Sequence, residues 1–302
     1  MIFRSIWDHD LAWSFRRSPV TVVAAALTLV CVGAAVLSPW IAPQNPFDAA
    51  ALDLNAAFKP PAWIEGGERA FPLGSDNQGR DILSTILYGA RISLGIGLAS
   101  VVFAMSLGVS LGLLAGYVGG RVDAVIMRIA DVQLSFPAIL IALLIDGVAR
   151  VALGGERHEE IVVPVLILSI GFAGWVQYAR TVRGSTMVEK EKEYVQAARV
   201  IGRRPLAIMA AHVLPNVMGP VLVIATIHIA TAIITEATLS FLGVGVPATQ
   251  PSLGTLIRVG NEFLLSGEWW ITLFPGAALI VLVLSVNLLG DWLRDALNPK
   301  LR

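Results

Sequence analysis

The chain has one cysteine, Cys31, in 302 residues, which excludes an internal disulfide and any cysteine-based zinc cluster. Cys31 lies within an apolar run and reads as a small packing residue. Lysine is also scarce: Lys59, Lys190, Lys192 and Lys300 are the whole set, and none follows a glycine. A G-x-x-x-x-G-K-[ST] phosphate loop is therefore absent, and with it that route to ATP hydrolysis. The histidines, His9, His158, His212 and His228, are scattered without metal-ligand spacing, and no H-E-x-x-H site occurs, so neither a metal nor a catalytic residue is assigned. Charged residues make up only 15% of the chain, with 22 basic against 22 acidic, so no overall field recruits nucleic acid.

Apolar residues, by contrast, make up 56% of the chain, and the mean hydropathy is +0.73, which places it among integral membrane proteins. Six apolar runs, near 20–41, 92–118, 122–148, 161–179, 213–235 and 271–290, each approach the roughly 20 residues that cross a bilayer core. The expectation is an all-α membrane protein with six transmembrane helices. The first run follows Arg16 and Arg17 but lacks a small-x-small cleavage site, so it reads as a retained anchor after an N-terminal segment, 1–19. With the N-terminus inside, 15 of the 22 basic residues fall on inner segments. The positive-inside rule then puts both termini, including the tail 294–302, in the cytoplasm.

The outer segment 42–91 begins as proline-rich loop, and Ile82, Leu83, Ile86 and Leu87 predict a short amphipathic helix at its end. Gly108, Gly112, Gly116 and Gly120 recur every fourth residue, which predicts a smooth helix face for close packing in the bilayer. The same run matches G-x-S-x-G at 108–112, but mid-span it lacks the strand-turn-helix setting catalysis requires. Arg128 and Asp131, spaced i, i+3, are expected to pair with each other or to serve a pathway, and Pro137 to kink their helix. Trp175 and Tyr178 read as interfacial anchors. Glu236 reads equally as a pathway residue or a helix-end hydrogen-bonding group, and 238–270 as a re-entrant or capping loop.

One polar stretch, 194–216, stands between two apolar runs. Tyr194, Ala197, Ala198 and Ile201 fall at i, i+3, i+4 and i+7, one narrow apolar stripe suited to a partner's groove. Gly202 permits a break, Pro205 suits the first turn of a second helix, and Pro215 marks entry to the next span. The spans hold few ionisable groups, so the chain looks like a passive pathway driven by another protein.

This stretch resembles the EAA loop of ABC-importer permease subunits: Glu-Ala-Ala, three residues, Gly, nine residues, Ile-x-Leu-Pro. Ala197, Ala198, Gly202, Leu214 and Pro215 match, while Gln196 replaces the Glu and His212 the Ile. A His at that place, with 73–91, 236–245 and the tail 290–299, resembles the C-type permease of the dipeptide/oligopeptide/nickel branch; Asn298 stands where Asp is usual. The resemblance implies a type I ABC-importer permease fold with a core, 92–293, and a cytoplasmic coupling segment, 184–212. In that segment and just beyond it, Glu193, Tyr194, Gln196, Ala197, Ala198, Gly202, His212, Leu214 and Pro215 would engage the ATPase. It further implies a B-type permease partner, two cytoplasmic ATPase subunits that bind ATP and Mg, an extracytoplasmic solute-binding protein, and a place in the bacterial inner membrane. An ion-coupled secondary transporter and a membrane-embedded enzyme are the competing classes; the latter calls for a polar cluster within the spans.

Overall fold

The computed structural model describes residues 14–48, 52–153 and 155–297. Helix α1 (Pro19–Val36) is capped by the Ser18 side chain, and the short α2 (Ser38–Ile41) follows it. Then come α3 (Ile82–Val118), α4 (Gly120–Leu134), α5 (Ala138–Leu153), α6 (Gly155–Glu189), α7 (Glu193–Val200), α8 (Pro205–Ile208), α9 (Leu214–Phe241), α10 (Leu253–Phe263) and α11 (Trp270–Leu297). Among the described residues five helices are long and apolar enough to cross a membrane, or six if α4 and α5, bent by 94°, form one span. The break falls at Pro137, whose ring disfavours helical geometry in the residue before it.

Three features differ from the sequence reading. The short amphipathic helix is no separate element: Asp81 caps its first turn and the helix runs unbroken for 37 residues into the second span. At 1.5 Å per residue α3 is about 55 Å long, more than a bilayer core requires. Its first turns are buried at Ile82, Ser84, Thr85 and Gly89. Second, the capping loop contains a true helix, α10, started by Ser252 accepting from the Thr255 amide, with Leu253, Leu256 and Gly260 turned inward. Third, Trp175 and Tyr178 are core residues, 2% and 0% exposed, and not interfacial anchors. The tail beyond residue 297, Asn298 included, lies outside the described residues.

The centre is the α3–α6 pair. A Cβ on Gly108 would lie 2.4 Å from the Trp175 carbonyl oxygen, one on Gly112 2.6 Å from that of Ala179, and one on Gly116 2.7 Å from that of Arg183. No side chain fits these gaps, so the stripe lets the two backbones touch. Gly120 is not part of it: it begins α4, is exposed, and has nothing within 4 Å of a built Cβ. Helix α9 closes on this pair through a cluster that includes Tyr178, Val182, Val213, Val217 and Val221. A second cluster joins α1, α3, α9, α10 and α11 around Leu94, Ile233, Leu253 and Leu282.

At one end of the bundle the irregular segment before α3 is tied down by polar contacts. Arg80, 2% exposed, bonds Asp76 through Nε at 2.6 Å and the Ala248 carbonyl through Nη1 at 3.0 Å. The Trp270 indole N–H donates to the Ser75 carbonyl at 3.0 Å. A buried guanidinium is tolerated only when so paired.

Candidate functional site

The 194–216 stretch lies at the opposite end of α9 from Glu236 and folds as helix, break, helix. Helix α7 ends where the Gly202 amide bonds the Arg199 carbonyl at 2.9 Å and the Arg203 amide the Ala198 carbonyl at 3.1 Å. That closure needs a left-handed residue, and Gly202 supplies it at φ +82°. Pro205 opens α8, a π-turn spans Met209–Val213, and Pro215 lies in the first turn of α9.

The apolar stripe read from the sequence is divided. Ala198 is 6% exposed and Val195 0%, both packed in the cluster of Tyr178, Val182 and Val213. Ala197 points outward. Successive helical residues are about 100° apart, so a helix lying on its own bundle cannot give both alanines to a partner. The outward surface is instead Ala197 with Val200, Ile201 and Leu206, exposed at 88, 78 and 75%. Arg199, Arg203 and Arg204, all exposed, surround this apolar knuckle.

Beneath it is a hydrogen-bonded root. The Tyr194 hydroxyl donates to Glu189 Oε1 and accepts from Asn216 Nδ2 at 3.0 Å. Asn216 Nδ2 also donates to the His212 carbonyl at 2.7 Å, so His212 enters through its backbone. Glu189 holds Lys192 at 2.8 Å, and Lys190 Nζ donates to the Gly116 carbonyl at 2.9 Å. The Gln196 amide donates to the Lys190 carbonyl at 3.3 Å. Burial and the Glu189 carboxylate push the Tyr194 hydroxyl up to about 12, which keeps it a proton donor at neutral pH. Glu193 and Pro215 are exposed, and Leu214 packs half-buried on the cluster. Glu189, Lys190, Val195 and Asn216 were not singled out in the sequence, because only the third dimension brings them to Tyr194 and α3.

Arg128 and Asp131 do not pair with each other. Asp131 takes Arg180 of α6 at 2.5 Å, while Arg128 is exposed. Asp123 likewise pairs with Arg183 through both carboxylate oxygens, the Oδ2 contact at 2.6 Å. Two acid–arginine pairs thus clasp α4 to α6. Glu236 is fully buried: Ser93 donates to its Oε2 and Ser240 to its Oε1, each at 2.7 Å. Ser93 Oγ in turn accepts from the Leu253 amide at 3.3 Å, so this carboxyl joins α3, α9 and α10. Both carboxylate oxygens are thus engaged within the bundle.

A cavity of about 280 Å³ opens between α5, α6 and α9, lined by Gln177, His228, Thr231 and Thr235 among apolar neighbours. His228 Nδ1 lies 3.0 Å from the Tyr178 hydroxyl, and its ring occupies the space a Cβ on Gly174 would need, 2.2 Å away. The Thr231 and Thr235 hydroxyls donate to carbonyls four residues earlier in α9, leaving their lone pairs facing outward. Among the described residues no group of three or more metal-ligating side chains forms.

Comparisons with known proteins agree with this architecture. The family model described as binding-protein-dependent transport system inner membrane component matches residues 108–302. The chain is 38% identical over 289 residues to the di/tripeptide transport system permease protein DppC of Pseudomonas aeruginosa, covering 96% of this chain and 91% of that protein. It is 37% identical to the dipeptide transport system permease protein DppC of Haemophilus influenzae, covering 95% and 93%. In fold it resembles a chain of the MetNI methionine ABC transporter in an inward-facing conformation, with a TM-score of 0.54 and 19% identity over 71% of this chain and 96% of that one. The chain therefore belongs to the family of binding-protein-dependent transport system inner membrane components, as a multi-pass permease subunit of an ABC importer that leaves ATP hydrolysis to separate subunits.

Proposed function

We propose that this permease carries short peptides inward, as half of a passage completed by a second, homologous permease of the B type. Two cytoplasmic ATPase subunits, holding ATP and Mg, grip the 193–215 segment, and an extracytoplasmic binding protein delivers the solute to the other end. Both termini then lie in the cytoplasm, as the distribution of arginine and lysine favours. The observation that carries the reading is the exposed Val200, Ile201 and Leu206 knuckle ringed by arginines, on a segment otherwise rooted in its own bundle. An apolar surface of that kind outside the spans calls for a partner. The names of the relatives favour a di- or tripeptide as cargo. We assign the passage to the face of α9 that carries His228, Thr231 and Thr235, with Gln177 opposite. Polar groups turned away from the bundle at membrane depth belong beside water or cargo, not lipid.

The test is reconstitution of the complete importer in proteoliposomes with a labelled dipeptide. Uptake should require ATP and the binding protein and should survive collapse of the proton gradient. Uptake that persists without ATP and stops with the gradient would establish the ion-coupled carrier instead.

A further inference from the structure

Three polar groups, the Glu189 carboxylate, the Asn216 amide and the His212 carbonyl, converge on one phenolic oxygen at the root of the coupling segment. Tyr194 is in the first turn of α7, Glu189 is the last residue of α6, and Asn216 is in the first turn of α9. The single phenol proton goes to Glu189, and the Asn216 amide supplies the oxygen with a donor at 3.0 Å while holding the His212 carbonyl at 2.7 Å. Apart from the Gln196 amide, which reaches only the Lys190 carbonyl just beyond α6 at 3.3 Å, the other side-chain contacts of α7 are of different kinds. Val195 and Ala198 pack without direction in the apolar cluster, and Arg199 lies over the Tyr117 ring of α3 at 5.2 Å. Apolar packing lets a helix slide or rock, whereas hydrogen bonds fix its angle.

We infer that the Tyr194 hydroxyl is a positioning group that locks α7 to α6 and α9 together, so that displacement of the coupling segment moves both helices as one lever. The inference rests on the coupling role proposed above. The cavity that lines the proposed passage is walled by these same two helices, through Gln177 of α6 and His228, Thr231 and Thr235 of α9. A lever that gripped only one of them would move one wall of the passage and leave the other behind. The partners around the oxygen are also directional: the Glu189 carboxylate, with the His212 carbonyl further off at 3.3 Å, can only accept, and the Asn216 amide N–H can only donate.

The experiment uses the reconstituted importer and reads peptide imported per ATP hydrolysed. Tyr194→Phe keeps the ring and removes only the oxygen. The ratio, in which any change in assembly or in ATP hydrolysis is divided out, should fall by about tenfold, the weight of one charge-assisted hydrogen bond. Asn216→Ala, which removes the other partner, should lower the ratio similarly, and the double variant should be no worse than either single one. A wild-type ratio in Tyr194→Phe overturns the inference. So does a smaller yield of complex with an unchanged ratio, since that marks a merely structural bond. Should Tyr194→Phe fail to assemble, Asn216→Ala decides by the same ratio. ATP-independent uptake by the unaltered importer would instead defeat the coupling reading itself, a separate result.

Discussion

Glu236 shows how a single side chain changes meaning once its neighbours are known. In the sequence it is a carboxylate at the end of an apolar run, open to two readings; in the fold its oxygens are occupied by Ser93 and Ser240. A carboxyl with both oxygens taken, and no exposure, has no face for a passing solute. Its amide analogue can keep this pattern, since the carbonyl accepts from one serine and the amino group donates to the other. Glu236→Gln should therefore transport normally and melt in detergent close to the unaltered protein. Glu236→Leu leaves the buried Ser93 and Ser240 hydroxyl protons without their acceptor, at about 1–3 kcal/mol for each group so stranded, and should lower the melting temperature. Loss of uptake in Glu236→Gln with unchanged melting would return the residue to the passage.

Among the elements, the α3–α6 pair makes the sharpest demand on sequence. Gly112 faces the Ala179 carbonyl and the Val182 Cβ, at 2.6 and 2.9 Å from a built Cβ. Gly112→Leu must push the helices apart, and overpacking of this kind typically costs about 1–3 kcal/mol. The permease should appear in the membrane in reduced amount and with a lower melting temperature, while Gly120→Leu, where a built Cβ has open space, should have no packing defect of this sort. The positive φ of Gly120, +56°, makes Gly120→Ala the gentler control. Equal melting of Gly112→Leu and the unaltered protein would remove the interface from its place in the fold.

The same pair shows what could be read in advance. A glycine every fourth residue is a local signal, because it lies on one helix and its period is that of the helix. So are the Pro137 break, the Gly202 turn and Pro205 at a helix start. Long-range partners leave no such trace. Asp131 is three residues from Arg128 in the chain, yet it takes Arg180 from another helix. Tyr178 looked like an interfacial anchor by its position near the end of a run, yet it lies at the centre of three helices with His228 at its hydroxyl. The helix α10 was missed because its glycines and the proline before it mask a short amphipathic pattern; the Ser252 cap with Leu253 and Leu256 was the signal available.

For the whole molecule, the divided stripe of α7 separates two kinds of damage that the sequence alone had merged. Ala198 and Ile201 are three residues apart and both belonged to the expected docking stripe, but one is 6% exposed and the other 78%. Ala198→Asp forces a carboxylate into the cluster with Tyr178 and Val213, where burial of an unpaired charge costs several kcal/mol. That variant should fail within the permease itself and be found at reduced level in the membrane. Ile201→Asp puts its charge in water and leaves the bundle untouched, but spoils the apolar knuckle. The permease should reach the membrane at normal level and melt normally, yet lose the ATPase subunits on purification and lose uptake. Gly202→Asp falls between them: nothing lies within 4 Å of a built Cβ, but φ +82° strains any side chain, by about 1–2 kcal/mol. It should distort the turn that presents Ile201 and abolish uptake with the bundle intact. Co-purification of the ATPases with Ile201→Asp at the normal ratio would mean that the partner grips this segment elsewhere.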